Sequence, residues 1–328
     1  MTRLSLYNQG LFCGAQAIQW ELSEQGHSSP PSIRTINRII SRNDLTHRRT
    51  GRYEAKGVPY PVFTPDRPNQ RHQMDFVGPR HLKGNQGTIR FYSLNVVDLA
   101  TKRCGVQPLY SRSGNALYEA IWAIWRRSGM PQHLQVDNEL AFLGSYKYPR
   151  GMGPLVRLCL CHDIELWFIP LYLCRHGRQA SEPWRNAEVE GFNNHYQQKF
   201  LARRVMGSEA ELEKGSLEYE HKHNSRYRYS KLGGKTPLAT LKQTNGTILR
   251  FPPDEPVPKI PLGKPESGRY HFIRHIRGDG KLDVLGEKFR MPPELHYEYV
   301  VATVDVDRQK LKVIHDLKQV LEFNYEMR

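Results

Sequence analysis

The chain has 328 residues, which is enough for two or three domains and for one sizeable hydrophobic core. No run of 18 apolar residues occurs, and the N-terminal residues lack the charged start and apolar stretch of a signal peptide, so neither a membrane span nor secretion is predicted. The formal net charge of +15 predicts a polyanionic partner, most simply nucleic acid, although a ribosome-like or merely soluble basic surface stays open.

The five cysteines are odd in number and scattered, which argues against a disulfide framework and favours a reducing compartment. One cluster allows a zinc site, with Cys159, Cys161, Cys174 and His176 as candidate ligands. The spacing C-x-C…C-x-H is not that of a usual zinc finger or knuckle, and the first two cysteines fall in an apolar helical stretch. Packing in a hydrophobic core is therefore the favoured interpretation.

Residues 1–50 are predicted to form a helix-turn-helix DNA-binding domain, and whether its first helix is truncated stays open. One helix begins near Ala15, and after a turn rich in Gly, Ser and Pro a second helix begins beyond Ser32, a plausible N-cap. Isoleucines give the second helix an apolar stripe: Ile33, Ile36, Ile39 and Ile40. The expected DNA contacts are Arg34, Asn37, Arg38, Arg48 and Arg49. The alternative is a small helical pair with a solvated basic face.

Prolines mark two linkers, in residues 51–70 and 246–265. Between them, residues 71–245 read as three strands followed by helix, strand, helix, strand and helix. This order predicts an α/β domain of the ribonuclease H-like kind, with a mixed five-stranded sheet and helices on both faces. Residues 266–328 contain five short strand-like segments and predict a small SH3-like β-barrel.

Three acidic residues stand out by position in the predicted core. Asp75 lies in the middle of the first strand, Asp137 ends the fourth strand, and Glu190 lies on the last core helix. A carboxylate inside an apolar strand is costly unless it is paired or bound to a metal, and oxygen ligands suit Mg²⁺ or Mn²⁺. Two such ions about 4 Å apart can drive phosphodiester chemistry. Each acid alone is weak evidence, since an Asp at a strand end is often only a cap or turn residue. The joint arrangement on the first strand, the fourth strand and the last helix is what favours a metal site.

Glu188 and Glu190 cannot both point into one site, because they are two residues apart on a helix. Each residue advances about 100° around the helix axis, which separates these two side chains by about 200°. Glu190 borders the apolar stripe that contains Val189, whereas Glu188 is expected to be a solvated acid favoured by the helix dipole in the first turn.

Five segments in residues 70–240 resemble, in order, the successive blocks of the catalytic core of DDE integrases and transposases: HQMDFVGP, VVDLATKRCGVQPL, GMPQHLQVDNELAF, IELWFIP and PWRNAEVEGFN. Among that family, the sequence is most similar to bacterial insertion-sequence transposases. The resemblance extends more weakly to the N-terminal and C-terminal domains.

The resemblance implies a two-metal polynucleotidyl transferase. Asp75, Asp137 and Glu190 would hold two Mg²⁺ or Mn²⁺ ions for cleavage at the 3′ ends of a mobile element and for strand transfer into target DNA. It also implies element ends and target DNA as partners, a homodimer or larger assembly on DNA, and a cytoplasmic, nucleoid-associated location in a bacterium.

The sequence departs from the family pattern in two places. Ala187 stands where the family usually has glycine, and a positive φ there would strain the start of the helix. The interval between Asp137 and Glu190 is longer than usual, and its extra length falls in two segments expected to be loops over the site. One of these loops offers three further DNA contacts: Arg175, His176 and Arg178.

Other polar residues of the core have secondary expectations. Asp98 is expected to orient its neighbours, Glu139 to lie beside the metal without binding it, and Asn138 to contact a loop or a metal-bound water. The last core helix and its continuation offer further DNA contacts: Asn193, Lys199, Arg203 and Arg204. A C-terminal hairpin gathers another set of cations: Arg269, His271, Arg274, His275, Arg277 and Lys281.

Two other functions compete with a transposase. A truncated, catalytically inactive derivative would act only as a DNA-binding protein, and the short N-terminus and Ala187 favour it. A plain ribonuclease H-like nuclease is the second alternative, but such an enzyme needs neither flanking domain.

Overall fold

The computed structural model describes residues 2–43, 45, 64–84, 87–144, 150–169, 186–244 and 263–327. Several expected features lie outside these residues, namely Arg48 and Arg49, the larger part of both proline-rich linkers, and the loop with Cys174, Arg175, His176 and Arg178. Within the described ranges, no helix combines the length and the apolar character that crossing a bilayer requires.

The N-terminal region contains three helices where the sequence predicted two: α1 (Thr2–Asn8), α2 (Ala15–Glu24) and α3 (Ile33–Arg42). Ser32 caps α3 as expected, because its side chain accepts a hydrogen bond of 3.3 Å from the Thr35 N–H. The apolar stripe of α3 is narrower than predicted, since Ile36 and Ile40 are buried while Ile33 and Ile39 are exposed. A DNA-reading helix-turn-helix stays a prediction.

A mixed sheet forms the core, and its first five strands are β1 (Arg71–Gly84), β2 (Gly87–Asp98), β3 (Cys104–Leu109), β4 (His133–Val136) and β5 (Glu165–Phe168). They lie in the order β3-β2-β1-β4-β5. β1 pairs antiparallel with β2 and parallel with β4, and β5 pairs parallel with β4. The predicted mixed sheet is thus present, and it is compatible with a ribonuclease H-like core.

Helices cover both faces of this sheet. They are α4 (Gly114–Ser128), α5 (Leu140–Leu143), α6 (Pro154–Cys161), α7 (Ala187–Lys199), α8 (Glu209–Arg226) and α9 (Pro237–Gln243). Apolar residues of α4 and α6 share one hydrophobic cluster with the sheet, and those of α7 and α8 share a second. Successive residues of β2, such as Val96 and Val97, enter different clusters, because successive side chains of a strand point to opposite faces of the sheet.

The edge of the sheet at β3 is covered by side chains. Asn224 on α8 accepts a hydrogen bond from the Cys104 N–H and donates one to the Cys104 carbonyl, both at 2.9 Å. Glu220, one turn earlier, accepts a bond of 2.8 Å from the Val106 N–H, and Arg127 donates to the Val106 carbonyl at 3.0 Å. Helix α8 therefore protects the edge strand from pairing with another chain.

The C-terminal strands extend the core sheet. They are β6 (Arg269–His275), β7 (Lys281–Val284), β8 (Glu287–Arg290), β9 (Tyr299–Asp305), β10 (Lys310–His315) and β11 (Lys318–Asn324). β6 pairs parallel with β5, and the order continues β6-β9-β10-β11, while β7 and β8 pair with each other. Strands β6, β9, β10 and β11 thus extend the predicted five-stranded sheet to nine strands within the described residues, and the predicted separate SH3-like barrel is not confirmed.

Candidate active site

Asp75 lies in β1 directly opposite Asn95 of β2. Its Oδ1 accepts a hydrogen bond of 2.8 Å from the Phe76 N–H, and its Oδ2 accepts one of 2.8 Å from Nδ2 of Asn193 on α7. Asn193 is buried, and its Oδ1 in turn accepts a bond of 2.7 Å from Nδ2 of Asn95. The Asp75 carboxyl is therefore held on both oxygens, directly by β1 and α7 and indirectly by Asn95 of β2.

Asp137 reaches the same edge of the sheet because β4 runs parallel to β1. Gln73 pairs with Gln135, and each aspartate follows its own glutamine by two residues. The Asp137 Oδ1 accepts a hydrogen bond of 2.9 Å from the Glu139 N–H. Parallel pairing of β1 with β4 therefore places Asp75, which lies inside β1, near Asp137, which follows β4.

The same two glutamines hold the beginning of α7. Oε1 of Gln73 accepts a hydrogen bond of 3.2 Å from the Val189 N–H, and Nε2 of Gln135 donates one of 3.2 Å to Oδ1 of Asn186, the N-cap of the helix. These contacts are buried. The first turn of α7, with Glu190, is thus fixed on the two strands that lead to Asp75 and Asp137.

Burial, with the charge of neighbouring carboxylates, raises the pKa of both aspartates at this edge. Burial and, after it, the charge of Asp137 raise the pKa of Asp75 to about 8. The hydrogen bond from the Phe76 N–H lowers this pKa, whereas the charges of Glu139 and Glu190 raise it further. Burial also raises the pKa of Asp137 to about 6, and the charges of Glu139 and Glu190 add to it although the Glu139 N–H opposes the shift. The site therefore contains negative charge that the protein itself leaves poorly compensated.

Glu190 is largely exposed, yet the surrounding protein desolvates its carboxyl and raises its pKa. Among the described residues, no three His, Cys, Asp or Glu side chains are already arranged around one point as ligands of a metal ion. The donor set of Asp75, Asp137 and Glu190 nevertheless consists of carboxylate oxygens with raised pKa values, and such groups fit Mg²⁺ or Mn²⁺ in chemistry. Metal binding by this triad stays a prediction.

Glu188 has a different environment from Glu190. It is half-buried between Lys102 and Lys231, whose ammonium groups lie 3.1 and 2.7 Å from its Oε1. Burial by itself raises the pKa of Glu188, but the hydrogen bonds and charges of the two lysines outweigh burial and hold the pKa below its usual value. The expected freely solvated acid is therefore an ion-paired one, oriented away from the acidic cluster.

The start of α7 is not strained at Ala187. This residue is the first of the helix, it is exposed, and it is absent from the described residues with positive φ. The concern that alanine replaces a glycine with a left-handed backbone is therefore wrong for this chain.

The secondary candidates have structural partners. Asp98 is buried and accepts hydrogen bonds from the Thr101 hydroxyl at 2.6 Å and from the Ala100 N–H at 3.1 Å, so it shapes the turn after β2. Glu139 pairs with Arg112 at 2.9 Å, and this guanidinium also lies 5.0 Å from the Tyr92 ring. Both residues thus have partners within the protein, and a place for Glu139 beside a metal stays a prediction.

Asn138 contacts the segment that begins after β5, which agrees with the loop contact, one of its two expected roles. Its Nδ2 donates a hydrogen bond of 2.5 Å to the Ile169 carbonyl, and its Oδ1 accepts one of 3.0 Å from Nη2 of Arg274. Arg274 is buried, as is His271, which stacks on Trp167 with ring centroids 4.1 Å apart. These two residues of the C-terminal hairpin therefore join β6 to the core, and their burial does not fit contact with DNA.

The predicted DNA contacts fall into three groups in the structure. Arg34, Asn37 and Arg38 are exposed on α3 and, with Ser41 and Arg42, line a shallow surface hollow. Such an exposed basic face is available to a polyanion.

The cations at the end of α7 are partly engaged within the protein. Arg203 donates a hydrogen bond of 2.6 Å to the Tyr7 carbonyl and lies 4.5 Å from the Tyr7 ring, and Lys199 lies 5.8 Å from the same ring. Arg204 pairs with Glu218 at 2.8 Å. Asn193, the remaining residue of the set, is buried against Asp75, and this position does not fit a DNA contact.

The two cysteines of the zinc hypothesis that the structure describes differ in environment. Cys159 is fully buried in the core on α6, and Cys161 is exposed at the end of the same helix. Core packing thus accounts for Cys159, whereas the other half of the proposed zinc set lies outside the described residues.

Comparison with solved structures finds retroviral integrases. The HTLV-2 integrase catalytic core domain in complex with magnesium is 18% identical, with a TM-score of 0.37, over 53% of this chain and 97% of that chain. The BIV integrase catalytic core is 16% identical, with a TM-score of 0.36, over 53% of this chain and 94% of that chain. The simian T-cell lymphotropic virus intasome in complex with a PP2A regulatory subunit is 13% identical, with a TM-score of 0.41, over 94% of this chain and 93% of that chain. No family model and no curated protein matches the chain.

Proposed function

We propose that this chain is a metal-dependent polynucleotidyl transferase of the DDE integrase and transposase kind, and more narrowly a bacterial insertion-sequence transposase acting in the cytoplasm at the nucleoid. It cleaves the 3′ ends of its mobile element and joins them to target DNA. The sequence blocks quoted above support the family, and the mixed sheet is compatible with the core of such enzymes.

One observation carries the proposal. Asp75, Asp137 and Glu190, singled out from the sequence, interact electrostatically at one edge of the sheet, and the pKa of each is raised. A cluster of acids is costly in any protein, and it is unusual in a chain with a net charge of +15. A divalent cation that these oxygens bind offsets the repulsion, whereas a purely DNA-binding protein gains nothing from such a cluster.

Each side chain has a defined task in this proposal. Asp75, Asp137 and Glu190 hold two Mg²⁺ or Mn²⁺ ions, which when bound activate the attacking hydroxyl and stabilise the leaving oxygen of the phosphodiester. Asn193 orients the Asp75 carboxyl, and the Glu139 N–H orients that of Asp137. Glu188 takes no part, because Lys102 and Lys231 hold it.

The remaining charge of the chain serves DNA binding. The exposed basic face of α3 contacts the element ends, and the bulk positive charge attracts phosphates over a longer range. Strand transfer needs two ends held together, so the active form is a homodimer or a larger assembly on DNA.

The test compares wild type, Glu190→Gln and Glu188→Gln on duplexes that carry the ends of the element encoding the chain, in Mg²⁺ and in Mn²⁺. Cleavage and joining should survive in Glu188→Gln and disappear in Glu190→Gln, while both variants bind the duplex like wild type. If wild type binds but neither cuts nor joins, the chain is an inactive DNA-binding derivative. If it cuts without joining, it is a plain nuclease.

A further inference from the structure

Arg274 is a buried arginine at the junction between the C-terminal strands and the core sheet. Its side chain is only 5% exposed, and its guanidinium lies 4.8 Å from the ring of Phe272. Nε donates a hydrogen bond of 3.1 Å to the Asp283 carbonyl in β7, and Nη2 donates one of 3.0 Å to Oδ1 of Asn138. One side chain thus connects β6, β7 and the segment that follows β4.

Asn138 and Arg274 share an acceptor at the end of β5. The Ile169 carbonyl accepts Nδ2 of Asn138 at 2.5 Å and Nη1 of Arg274 at 3.4 Å, while the Ile169 N–H donates to the Val136 carbonyl at 3.0 Å. Because its oxygen faces a donor and its nitrogen faces an acceptor, the Asn138 amide has one orientation. The ends of β4 and β5 are therefore fixed to each other and to β6.

This set of hydrogen bonds lies beside the acidic cluster. Asn138 stands between Asp137 and Glu139, and the Glu139 N–H donates to Oδ1 of Asp137 at 2.9 Å. Residues 137–139 have no regular secondary structure, so side chains rather than a strand ladder determine their backbone. A metal-ligating carboxylate must be held within roughly half an ångström of its working position.

We propose that Arg274 is a positioning residue of the active site, which acts through Asn138 to fix the Asp137 carboxyl. The C-terminal strands thus complete the site within the same chain instead of forming an appended module. This inference rests on the function proposed above. Arg274 acts through the hydrogen bond that its Nη2 donates to Oδ1 of Asn138.

The test uses the full-length chain with Arg274→Met, Asn138→Ala and the double variant. Arg269→Met is the matched control, since Arg269 lies on the same strand but is more than half exposed and pairs with Asp305 at 3.6 Å. Three quantities are measured: hydrogen exchange of the amides in residues 138–143, Mn²⁺ affinity by titration calorimetry, and DNA joining. Thermal unfolding establishes that each variant is folded.

We expect faster exchange at the Glu139 amide, Mn²⁺ binding about tenfold weaker and joining reduced at least as much in both single variants. The double variant should lose no more Mn²⁺ affinity and joining than the more impaired of the two single variants, because the two residues act as a unit. The Arg269→Met control should match wild type in hydrogen exchange and in Mn²⁺ affinity. Wild-type exchange and Mn²⁺ affinity in a folded Arg274→Met protein would overturn the proposal.

Two further outcomes are distinct. If Arg274→Met fails to fold, Asn138→Ala is the deciding variant, because it keeps the hydrogen bond from Arg274 to the Asp283 carbonyl. Wild-type hydrogen exchange and wild-type Mn²⁺ affinity in Asn138→Ala then refute the proposal. If wild type neither binds Mn²⁺ nor joins DNA, the proposed enzyme function fails. Faster amide exchange in Arg274→Met, but not in Arg269→Met, would then show that Arg274 holds residues 137–139 in place even though the enzyme function is absent.

Discussion

Asn193 donates a hydrogen bond of 2.8 Å from Nδ2 to Oδ2 of Asp75, although 118 residues separate the two in the chain. Asn193 follows Glu190 by one helical turn, so α7 supplies both a predicted ligand and the group that orients another. Asn95 donates to Oδ1 of Asn193 and itself accepts a bond of 2.8 Å from the Ser93 hydroxyl. These bonds fix the orientation of the Asn95 and Asn193 side-chain amides, so that the amide nitrogen of Asn193 always faces Oδ2 of Asp75.

Replacement of Asn193 by alanine should lower metal-dependent joining about 10- to 100-fold, the usual effect of losing a partner of a metal ligand. The reason is that the Asp75 carboxyl loses the donor that fixes its plane. Asn194→Ala is the control, because Asn194 is the next residue of the same helix and is exposed. Equal joining rates for the two variants, measured under single-turnover conditions, would contradict an orienting role.

Glu188 and Glu190 should differ in their effect on stability. The pKa of folded Glu188 lies below 4.5, so its ion pairs contribute stability that is fully present above that pH and is lost as the pH falls through the folded pKa. Glu188→Gln should therefore lower the unfolding free energy by about 1 kcal/mol at pH 7 and by nothing once the carboxyl is protonated.

Glu190→Gln provides the matched comparison for that experiment. Burial raises the pKa of Glu190, so a neutral amide in its place removes the cost of desolvating a charge and should not destabilise the protein at pH 7. Urea unfolding at pH 7 and at pH 3 measures both effects. A larger loss for Glu190→Gln than for Glu188→Gln at pH 7 would reverse the assignment of the two side chains.

The sequence is sufficient to predict the positions of the three acids, because the evidence for them is local. Asp75 interrupts an apolar strand, Asp137 follows one, and helical periodicity separates Glu190 from Glu188. The structure brings these elements together through parallel pairing of β1 and β4 and through the glutamines that hold α7.

Partners that are distant in sequence could not be predicted in the same way. The bond between Arg274 and Asn138 spans 136 residues, and an arginine on a basic hairpin gives no sign that it will be buried. The C-terminal segments were correctly expected to be strands, since strand propensity is local, but propensity does not specify the pairing partner. The pairing of Phe168 with Phe272, which extends the sheet, was therefore not anticipated.

The acidic cluster predicts an unusual dependence of stability on pH in the absence of metal. Asp75 and Asp137 have pKa values raised to about 8 and about 6, so the folded chain binds more protons than the unfolded chain between about pH 4 and 8. Stability should therefore fall as the pH rises through this range, by an amount on the order of a few kcal/mol. Thermal unfolding in a chelating buffer at pH 5 and pH 8 measures the fall.

Added Mg²⁺ should reverse that loss. A cation that binds the ionised carboxylates stabilises the folded chain, and it does so more at pH 8 than at pH 5. Asp75→Asn removes the group with the largest shift, so this variant should show a flatter pH profile and a smaller response to Mg²⁺. A variant profile identical to that of wild type would mean that Asp75 is not the source of the dependence.

Helix α8 offers a test of how the edge of the sheet is protected. Glu220 accepts hydrogen bonds from the Val106 N–H at 2.8 Å and from Nη2 of Arg127 at 2.9 Å, and its side chain is 11% exposed. Glu220→Ala leaves a partly buried guanidinium and a buried strand N–H without this acceptor, so it should lower the unfolding free energy by about 2 kcal/mol. Glu218→Ala, on the same helix, removes an exposed ion pair with Arg204 and should leave the urea midpoint unchanged.

Because an uncovered β3 edge can pair with another chain, Glu220→Ala should also form more dimers or aggregates, which light scattering measures. Equal scattering by Glu220→Ala and Glu218→Ala would show that protection of the edge does not depend on Glu220.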